Sequence, residues 1–436
     1  MALQHPLPCK SSMAALILLL VGLLHITGVE SIGVCYGKNG NNLPSDTETI
    51  NLMVSNGIGG LRVYAADTPV FNALRGKKMD VIVDVSNPKL EELADPARAR
   101  AWVQNNIVPY ANNVNFKYIA VGNEVYAGNS DTARYVRFVM PALRNVHNAL
   151  VAVGLQGKIK ATTATYSAVL TNTYPPNQGV FQENAKELMN QVVQFLAQTG
   201  NPLLANIYPY FSYRGNPSQI PISYALFKDT NPNSVGYRNL FDALLDSMYA
   251  AVQKAGGPNV RIVVSETGWP SAGGFAATMD NAATYYRNLI KHVKGNAGTP
   301  MKPGRSIETY LFAMYDENQK PGDAVEKHFG VFRPDKSSND VWCIGDKGKG
   351  SVKNQYVDDG SDYVNGVIMG VPPLGPSISL TSGYGLWGDG SSSSSFISFD
   401  HSVNQALIAR SGVSRHLSAS RLLKGYNPTM NKIWRG

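Results

Sequence analysis

Eight short runs of apolar and β-branched residues recur along the chain, and most are separated by a longer stretch whose apolar residues have helical spacing. The predicted strands are Ile32–Tyr36, Gly60–Tyr64, Val81–Val85, Tyr118–Gly122, Lys160–Thr165, Leu204–Tyr208, Arg261–Ser265 and Thr309–Met314. The predicted helices are Ser45–Asn56, Pro96–Val108, Thr132–Val153, Gln182–Thr199, Leu240–Ala255 and Ala276–Val293. This alternation predicts an α/β fold in which eight parallel strands close into a (β/α)8 TIM barrel.

The barrel domain is predicted to span residues 31–336. The chain has 436 residues, of which 44% are hydrophobic, and that is ample for a core. After about Asp335, Gly, Ser and Pro dominate and the alternation stops, with a serine run at 391–395. Residues 337–436 are therefore predicted to form a largely irregular C-terminal extension of unknown role.

The amino terminus has the composition of a secretory signal peptide. Lys10 precedes an apolar stretch from Met13 to Leu24, and small and polar residues follow it. The stretch is too short to span a bilayer. We expect residues 1–30 to be removed and the mature protein to follow the secretory pathway to the extracellular space or the vacuole, without a membrane anchor.

Charge and cysteine content argue against two classes of protein, those that bind nucleic acids and those that depend on a disulfide framework. The net charge is +8, but lysine and arginine are scattered without runs or interleaved aromatic residues, so no nucleic-acid partner is expected. Outside the predicted signal peptide only Cys35 and Cys343 remain, too few for a disulfide framework, and Cys35 is predicted to be a buried free thiol. No metal-ligand or phosphate-loop motif is found, and we expect a monomer without a cofactor.

Two glutamates lie at the ends of predicted strands. Glu124 comes after the fourth strand and Glu266 after the seventh. Carboxyl ends of parallel strands share one rim of a barrel, where active sites lie. Cleavage of a glycosidic bond needs one protonated and one ionised carboxyl group. The pair therefore predicts acid/base or nucleophilic chemistry on a sugar, with the two roles unassigned.

Residues beside these glutamates are candidates for supporting roles. Asn123 is predicted to donate a hydrogen bond to a substrate hydroxyl or to the nucleophile, and Trp269 to offer a platform for a sugar face. Glu317 and Lys320 follow the eighth strand and predict either a charge network that tunes the site or an ordinary loop ion pair. The other candidates for a sugar groove are aromatic residues at or near strand ends, namely Tyr36, Tyr64, Tyr208, Phe211 and Phe312.

Four ordered motifs resemble one family. Residues 32–37 (IGVCYG), 121–124 (VGNE), 264–270 (VSETGWP) and 317–320 (ENQK) are similar to plant glucan endo-1,3-β-glucosidases of glycoside hydrolase family 17, over about Ser31 to Asp335. The resemblance implies a retaining (β/α)8 enzyme with Glu124 as proton donor and Glu266 as nucleophile, with Glu317 and Lys320 as supporting cleft residues. It also implies a β-1,3-glucan substrate and a role in plant defence or wall remodelling.

Two alternatives stay open at this point. The same machinery could act on mixed-linkage β-1,3;1,4-glucan. The sequence departs from the family pattern from about Ser337 onward, and this altered carboxyl terminus could instead leave a barrel that binds glucan without hydrolysing it.

Overall fold

Eight parallel strands close into a barrel in the computed structural model, which describes residues 32–339. The strands are β1 (Gly33–Tyr36), β2 (Gly60–Val63), β3 (Asp80–Val85), β4 (Asn115–Asn123), β5 (Lys160–Tyr166), β6 (Leu203–Asn206), β7 (Ile262–Thr267) and β8 (Thr309–Leu311). Each strand pairs with its neighbours in sequence, and β1 pairs with β8 to close the ring. The predicted α/β (β/α)8 fold is confirmed.

Closure of the barrel depends on glycine at the start of β1. Gly33 pairs with Tyr310 of β8 on one side and with Gly60 of β2 on the other. A Cβ atom on Gly33 would lie 2.2 Å from Cδ1 of Tyr310, well inside contact distance. The absence of a side chain therefore lets the Tyr310 ring cross the junction between the first and last strands.

Helices cover the outside of the barrel. They are α1 (Asp46–Ser55), α2 (Thr68–Leu74), α3 (Leu90–Leu93), α4 (Pro96–Asn106), α5 (Val136–Ala152), α6 (Glu183–Thr199), α7 (Pro209–Gly215), α8 (Ile222–Ala225), α9 (Leu240–Lys254) and α10 (Met279–Lys294). Two antiparallel ribbons, 170–171 with 180–181 and 298–299 with 302–303, lie outside the barrel. The six predicted helices correspond to α1, α4, α5, α6, α9 and α10.

Local contacts explain where the predicted boundaries differ from the observed ones. Helix α5 begins at Val136 rather than Thr132, because the Thr132 hydroxyl donates to the Glu124 carbonyl at 3.0 Å and residues 133–135 form a 3₁₀ turn. Strand β8 ends at Leu311 rather than Met314. Beyond it, the Ala313 amide donates to the Phe329 carbonyl at 2.8 Å, so the chain has left the ladder with β7.

The first helix carries the capping box that Ser45 and Glu48 predict. The Ser45 side chain accepts from the Glu48 amide, and the Glu48 carboxylate accepts from the Ser45 amide at 3.1 Å. This reciprocal pairing satisfies amide groups that an uncapped helix would leave unpaired.

Two predicted features lie wholly outside the described residues, namely the signal peptide and Cys343. The predicted irregular extension lies almost wholly outside them. Of residues 337–436, only Ser337 to Asn339 are described, and the Asn339 amide donates to the Val331 carbonyl at 3.2 Å. Within residues 32–339, no helix is both long and apolar enough to cross a membrane. Cys35 is a buried free thiol, as predicted, and it donates to the Ser265 carbonyl at 3.3 Å.

Candidate active site

Both predicted glutamates lie at the carboxyl-terminal rim of the barrel. Glu124 directly follows β4, and Glu266 is the penultimate residue of β7. Glu124 is 5% exposed and Glu266 is 2% exposed. Burial at the same rim makes each carboxyl group sensitive to the other's charge.

The backbone at Glu124 is in an uncommon conformation. Its φ is +54°, in the left-handed region that disfavours residues with a side chain. The Glu124 amide donates to the Ala164 carbonyl at 2.9 Å, and the Glu124 carbonyl accepts from Thr132. Strain held in place by its surroundings is typical of functional positions, and here it fixes the direction in which the carboxyl group leaves the strand.

Asn206, the last residue of β6, links the two glutamates. Its Nδ2 donates to Oε1 of Glu124 at 2.7 Å. Its Oδ1 accepts from the Ser265 hydroxyl at 2.8 Å and from Nη1 of Arg62 at 3.1 Å. Because that same Nη1 also contacts Glu266, a continuous chain of hydrogen bonds joins one glutamate to the other.

Arg62 of β2 is a fully buried cation at the centre of the site, with 0% exposure. Its Nη1 donates to Oε1 of Glu266 at 2.8 Å, and its Nε and Nη2 donate to the two carboxylate oxygens of Asp84 at 3.2 and 2.7 Å. A buried guanidinium needs such partners, because an unpaired charge in the interior is strongly unfavourable. Arg62 therefore fixes Glu266 in position while Asp84 fixes Arg62.

Glu266 accepts from two tyrosines as well as from Arg62. The Tyr64 hydroxyl donates to Oε1 at 2.9 Å, and the Tyr208 hydroxyl donates to Oε2 at 2.8 Å. Hydrogen bonds to a carboxylate together with a paired cation stabilise its ionised form. This environment suits a group that acts as an anion.

The environment of Glu124 has the opposite effect. Burial, and then the negative charge of Glu266, raise the pKa of Glu124 to about 8, against the lowering effects of the Asn206 hydrogen bond and of Arg62. Glu124 is therefore protonated at neutral pH and has a proton to give. A buried carboxyl group with a raised pKa beside a second one that is surrounded by donors is the arrangement that a general acid and a nucleophile require.

Asn123 is anchored through its side-chain oxygen. Oδ1 accepts from Nη2 of Arg62 at 2.9 Å and from Nδ2 of Asn206 at 3.1 Å. Among the described residues, Glu266 accepts from Arg62, Tyr64 and Tyr208 rather than from Asn123. The predicted contact of Asn123 with a substrate hydroxyl stays a prediction, and the fixed oxygen determines the orientation of the amide group.

Glu317 and Lys320 belong to a largely buried charge network rather than to an exposed loop pair. Nζ of Lys320 lies 3.8 Å from Glu317 and 3.5 Å from Glu326, with side-chain exposures of 14%, 3% and 7% respectively. The same ammonium lies 3.9 Å from the centroid of the Phe312 ring. Burial raises the pKa of Glu326, Lys320 opposes that rise, and the charge of Glu266 adds to it, so the network and Glu266 interact electrostatically.

Three of the predicted aromatic residues lie around Glu266, in addition to Tyr64. Tyr208 packs edge-on against Phe211 at 5.5 Å and against Phe312 at 6.1 Å between ring centroids. Tyr208 and Phe211 are partly exposed, whereas Phe312 is only 5% exposed. Contact of these rings with a sugar stays a prediction.

Two predicted sugar contacts are wrong. Trp269 has no exposed surface, because its indole packs against three tyrosines (Tyr210, Tyr213 and Tyr285) and its Nε1 donates to the Ala276 carbonyl at 2.9 Å. Tyr36 is 2% exposed, and its hydroxyl donates to Asp46 of α1 at 2.8 Å. Side chains alternate along a strand, so with Cys35 directed at Ser265 across the barrel, Tyr36 faces the helices.

Comparison with known proteins identifies the family. Residues 32–340 match the model of the family described as glycosyl hydrolases family 17. The chain belongs to that family.

Curated relatives of this family 17 chain come from plants. It is 57% identical to glucan endo-1,3-beta-glucosidase, acidic isoform GI9, from Nicotiana tabacum over 331 residues, which cover 75% of this chain and 96% of that protein. It is 56% identical to glucan endo-1,3-beta-glucosidase A from Solanum lycopersicum, covering 73% of this chain and 94% of that one.

Solved structures of similar proteins show the same barrel. CJP38, a beta-1,3-glucanase and allergen of Cryptomeria japonica pollen, is 47% identical with a TM-score of 0.69, covering 71% of this chain and 98% of that one. A structure from a study of two plant beta-glucan endohydrolases with distinct substrate specificities is 46% identical, with a TM-score of 0.66 and coverage of 71% and 98%.

Sequence reasoning missed four buried members of this family 17 site, namely Arg62, Asp84, Asn206 and Glu326. A signal for the first two was present, because each is a charged residue within a predicted strand of otherwise apolar residues. Charges are almost never buried unless they are paired, so a charge in each of two neighbouring strands predicts an ion pair inside the barrel. Asn206 and Glu326 have no comparable signal.

Proposed function

We propose that this family 17 chain is an endo-acting glucanase that hydrolyses (1→3)-β-D-glucosidic linkages with retention of anomeric configuration. The observation that carries the proposal is the pair of buried carboxyl groups at one rim, joined through Asn206 and Arg62, of which Glu124 has a raised pKa and Glu266 accepts from Arg62 and two tyrosines. The substrate class is supported by the curated relatives, which are named as glucan endo-1,3-beta-glucosidases.

The reaction has two steps. Glu266 attacks the anomeric carbon while Glu124 gives its proton to the departing glycosidic oxygen, so one C–O bond forms as another breaks. Glu124, now ionised, then takes a proton from water, and the resulting hydroxide displaces Glu266 from the sugar. Two inversions at the same carbon give net retention, and both carboxyl groups return to their starting states.

Residues around the pair have distinct supporting roles in this proposal. Arg62, Tyr64 and Tyr208 hold the Glu266 carboxylate, and they compensate the charge it regains when the sugar leaves. Asn123 donates its amide to a hydroxyl of the sugar bound beside Glu266. Glu317 and Lys320, together with Glu326, set the charge next to the Phe312 ring.

Kinetics of two variants on laminarin test the proposal. We expect Glu266→Ala to reduce the release of reducing ends to background, and Glu124→Ala to lower kcat by about 10²–10⁴-fold. Full activity of Glu266→Ala would contradict the proposal. Binding of laminarin without any hydrolysis by the parent protein would favour the inactive glucan-binding barrel instead.

Linkage preference is tested by comparing rates on laminarin and on mixed-linkage β-1,3;1,4-glucan. We expect laminarin to be the better substrate. Medium-length products early in the reaction would distinguish internal cleavage from release of single glucose units.

We also propose that the chain enters the secretory pathway and acts in the apoplast or vacuole, in plant defence or wall remodelling. The apolar stretch Met13–Leu24 supports this route. Sequencing the amino terminus of protein purified from plant tissue tests it. A start near Ser31 is expected, and an unprocessed Met1 would contradict it.

A further inference from the structure

One large aromatic side chain is exposed on the catalytic face. Phe275, in the loop between β7 and α10, is 57% exposed. The other large apolar side chains that the described part of the chain exposes are aliphatic, namely Val54, Val151, Val153 and Ile222. Because the loop follows the carboxyl end of a barrel strand, Phe275 lies on the same side of the barrel as Glu124 and Glu266.

The loop that carries Phe275 is held firmly. The Tyr210 hydroxyl donates to the Phe275 carbonyl at 3.1 Å. The next carbonyl, that of Ala276, accepts from Nε1 of Trp269 at 2.9 Å and from Nδ2 of Asn281 at 3.0 Å. The exposure of Phe275 is therefore imposed by a fixed backbone, and little conformational entropy is lost when a ligand binds there.

The Phe275 ring lies at the outer end of a row of aromatic contacts. It stacks on Tyr213 with centroids 5.9 Å apart and an interplanar angle of 23°, and Tyr213 stacks on Trp269 at 5.9 Å and 30°. Tyr210 contacts both Trp269 and Phe211 at 5.2 Å. Phe211 then contacts Tyr208, whose hydroxyl donates to Glu266.

We propose that Phe275 is a stacking platform for a glucose unit remote from the cleavage point, so that it increases activity on long glucan chains but not on short ones. Stacking on Tyr213 supports one face of the ring, and the exposed surface offers a flat apolar area. Such a surface matches the C–H face of a pyranose. This inference rests on the proposed glucanase function.

Three substitutions at Phe275 test the platform on two substrates. We expect Phe275→Ala to lower kcat/KM on long-chain laminarin by about 3- to 10-fold and to leave kcat/KM on a laminari-oligosaccharide of three or four units unchanged. Phe275→Tyr keeps a flat ring and should retain the parent value on both substrates. Phe275→Leu keeps apolar area without a flat face and should behave like Phe275→Ala.

A matched control separates this effect from general loss of exposed apolar surface. Val151→Ala shortens a side chain that is 46% exposed on the outer helix α5, and it should leave kcat/KM unchanged on both substrates. Equal rates for parent and Phe275→Ala on the long chain would overturn the platform, as would parent-like behaviour of Phe275→Leu. A parent protein that cleaves neither substrate would instead overturn the glucanase proposal, so the two failures are distinguishable.

Discussion

At the scale of single residues, the site depends on the contrast between two carboxyl groups of the same chemical type. Glu124 has a raised pKa because it is buried and faces the charge of Glu266, whereas Glu266 is surrounded by donors. Strand spacing placed both at the rim and left their roles open, and only the family resemblance divided those roles. The side chains that hold the two carboxyl groups come from β2 and β6, which lie far away along the chain. Arg62 and Asn206 supply those contacts.

The pH dependence of activity follows from the raised pKa of Glu124. A proton donor is competent below its pKa, so the proposed role of Glu124 predicts that kcat/KM on laminarin is lost as the pH rises through about 8. A substrate with a good leaving group, such as a dinitrophenyl laminaribioside, needs no proton donor in the first step. With that substrate the alkaline loss of the glycosylation rate should be absent in the parent and in Glu124→Ala alike, and an alkaline loss that persists in Glu124→Ala would contradict the assignment.

The raised pKa of Glu124 should also make the stability of the fold fall as the pH rises. The unfolded chain has an ordinary glutamate, which ionises above about pH 4, whereas folded Glu124 stays protonated to higher pH. The parent fold therefore loses stability as the pH rises above the unfolded pKa. Glu124→Gln removes this loss, so its Tm should exceed the parent's at pH 7 and the gain should shrink toward pH 4. A gain of equal size at both pH values would contradict the shift.

Removing the buried cation should affect both fold and reaction. Arg62→Met leaves Asp84 and Glu266 buried without their partner, and we expect a loss of about 3–5 kcal/mol in the free energy of unfolding. The double variant Arg62→Met with Asp84→Leu should recover part of that stability in urea titrations but none of the laminarin activity. Recovery of activity in the double variant would show that Arg62 does not position Glu266.

At the scale of elements, a helix boundary could be predicted from the sequence only where residues close to it in the chain form the cap. The pair Ser45 and Glu48 predicts the start of α1, and the predicted capping box is present. The start of α5 could not be predicted in this way. The Thr132 hydroxyl donates to the Glu124 carbonyl and therefore does not cap the helix. Trp269 and Tyr36 were misplaced because the direction of a side chain beyond or across a strand depends on the folded barrel.

The capping box gives a prediction limited to stability. Ser45→Ala should lower the free energy of unfolding by about 1 kcal/mol and leave kcat unchanged, because α1 contributes no residue that contacts either glutamate. Ser55→Ala, at the other end of α1, serves as the control and should stay within about 0.5 kcal/mol of the parent. Similar losses from both variants in urea titrations would show that the cap is not specific.

At the scale of the whole molecule, the eightfold alternation was enough to predict the barrel, because parallel neighbours need a crossover between them and eight strands joined by seven crossovers are typical of a closed ring. The sequence could not show that the last described residues belong to it. Asn339 is 1% exposed, and its Nδ2 donates to the Gly330 carbonyl at 2.9 Å. The segment after β8 is thereby fastened to the barrel beyond the predicted boundary at residue 336.

Two truncations test where the functional unit ends. A chain ending at residue 340 should keep the Tm and laminarin activity of the parent, because the described contacts that fasten the barrel end with Asn339. A chain ending at residue 330 loses Phe332, whose amide donates to the Met314 carbonyl at 3.0 Å, and should be destabilised and inactive. Loss of activity in the longer truncation would show that the remaining residues complete the catalytic unit.

The central claim is that Glu266 forms a bond to the sugar while Glu124 handles protons, and trapping the intermediate tests it most directly. A 2-deoxy-2-fluoro-laminaribiosyl fluoride has a leaving group that needs no acid, and its fluorine slows the second step, so the glycosyl-enzyme should accumulate. Intact mass followed by peptide mapping should place one fluorinated disaccharide on the peptide that contains Glu266, and Glu266→Ala should stay unlabelled. Label on Glu124, or rapid turnover without any labelled enzyme, would contradict the account.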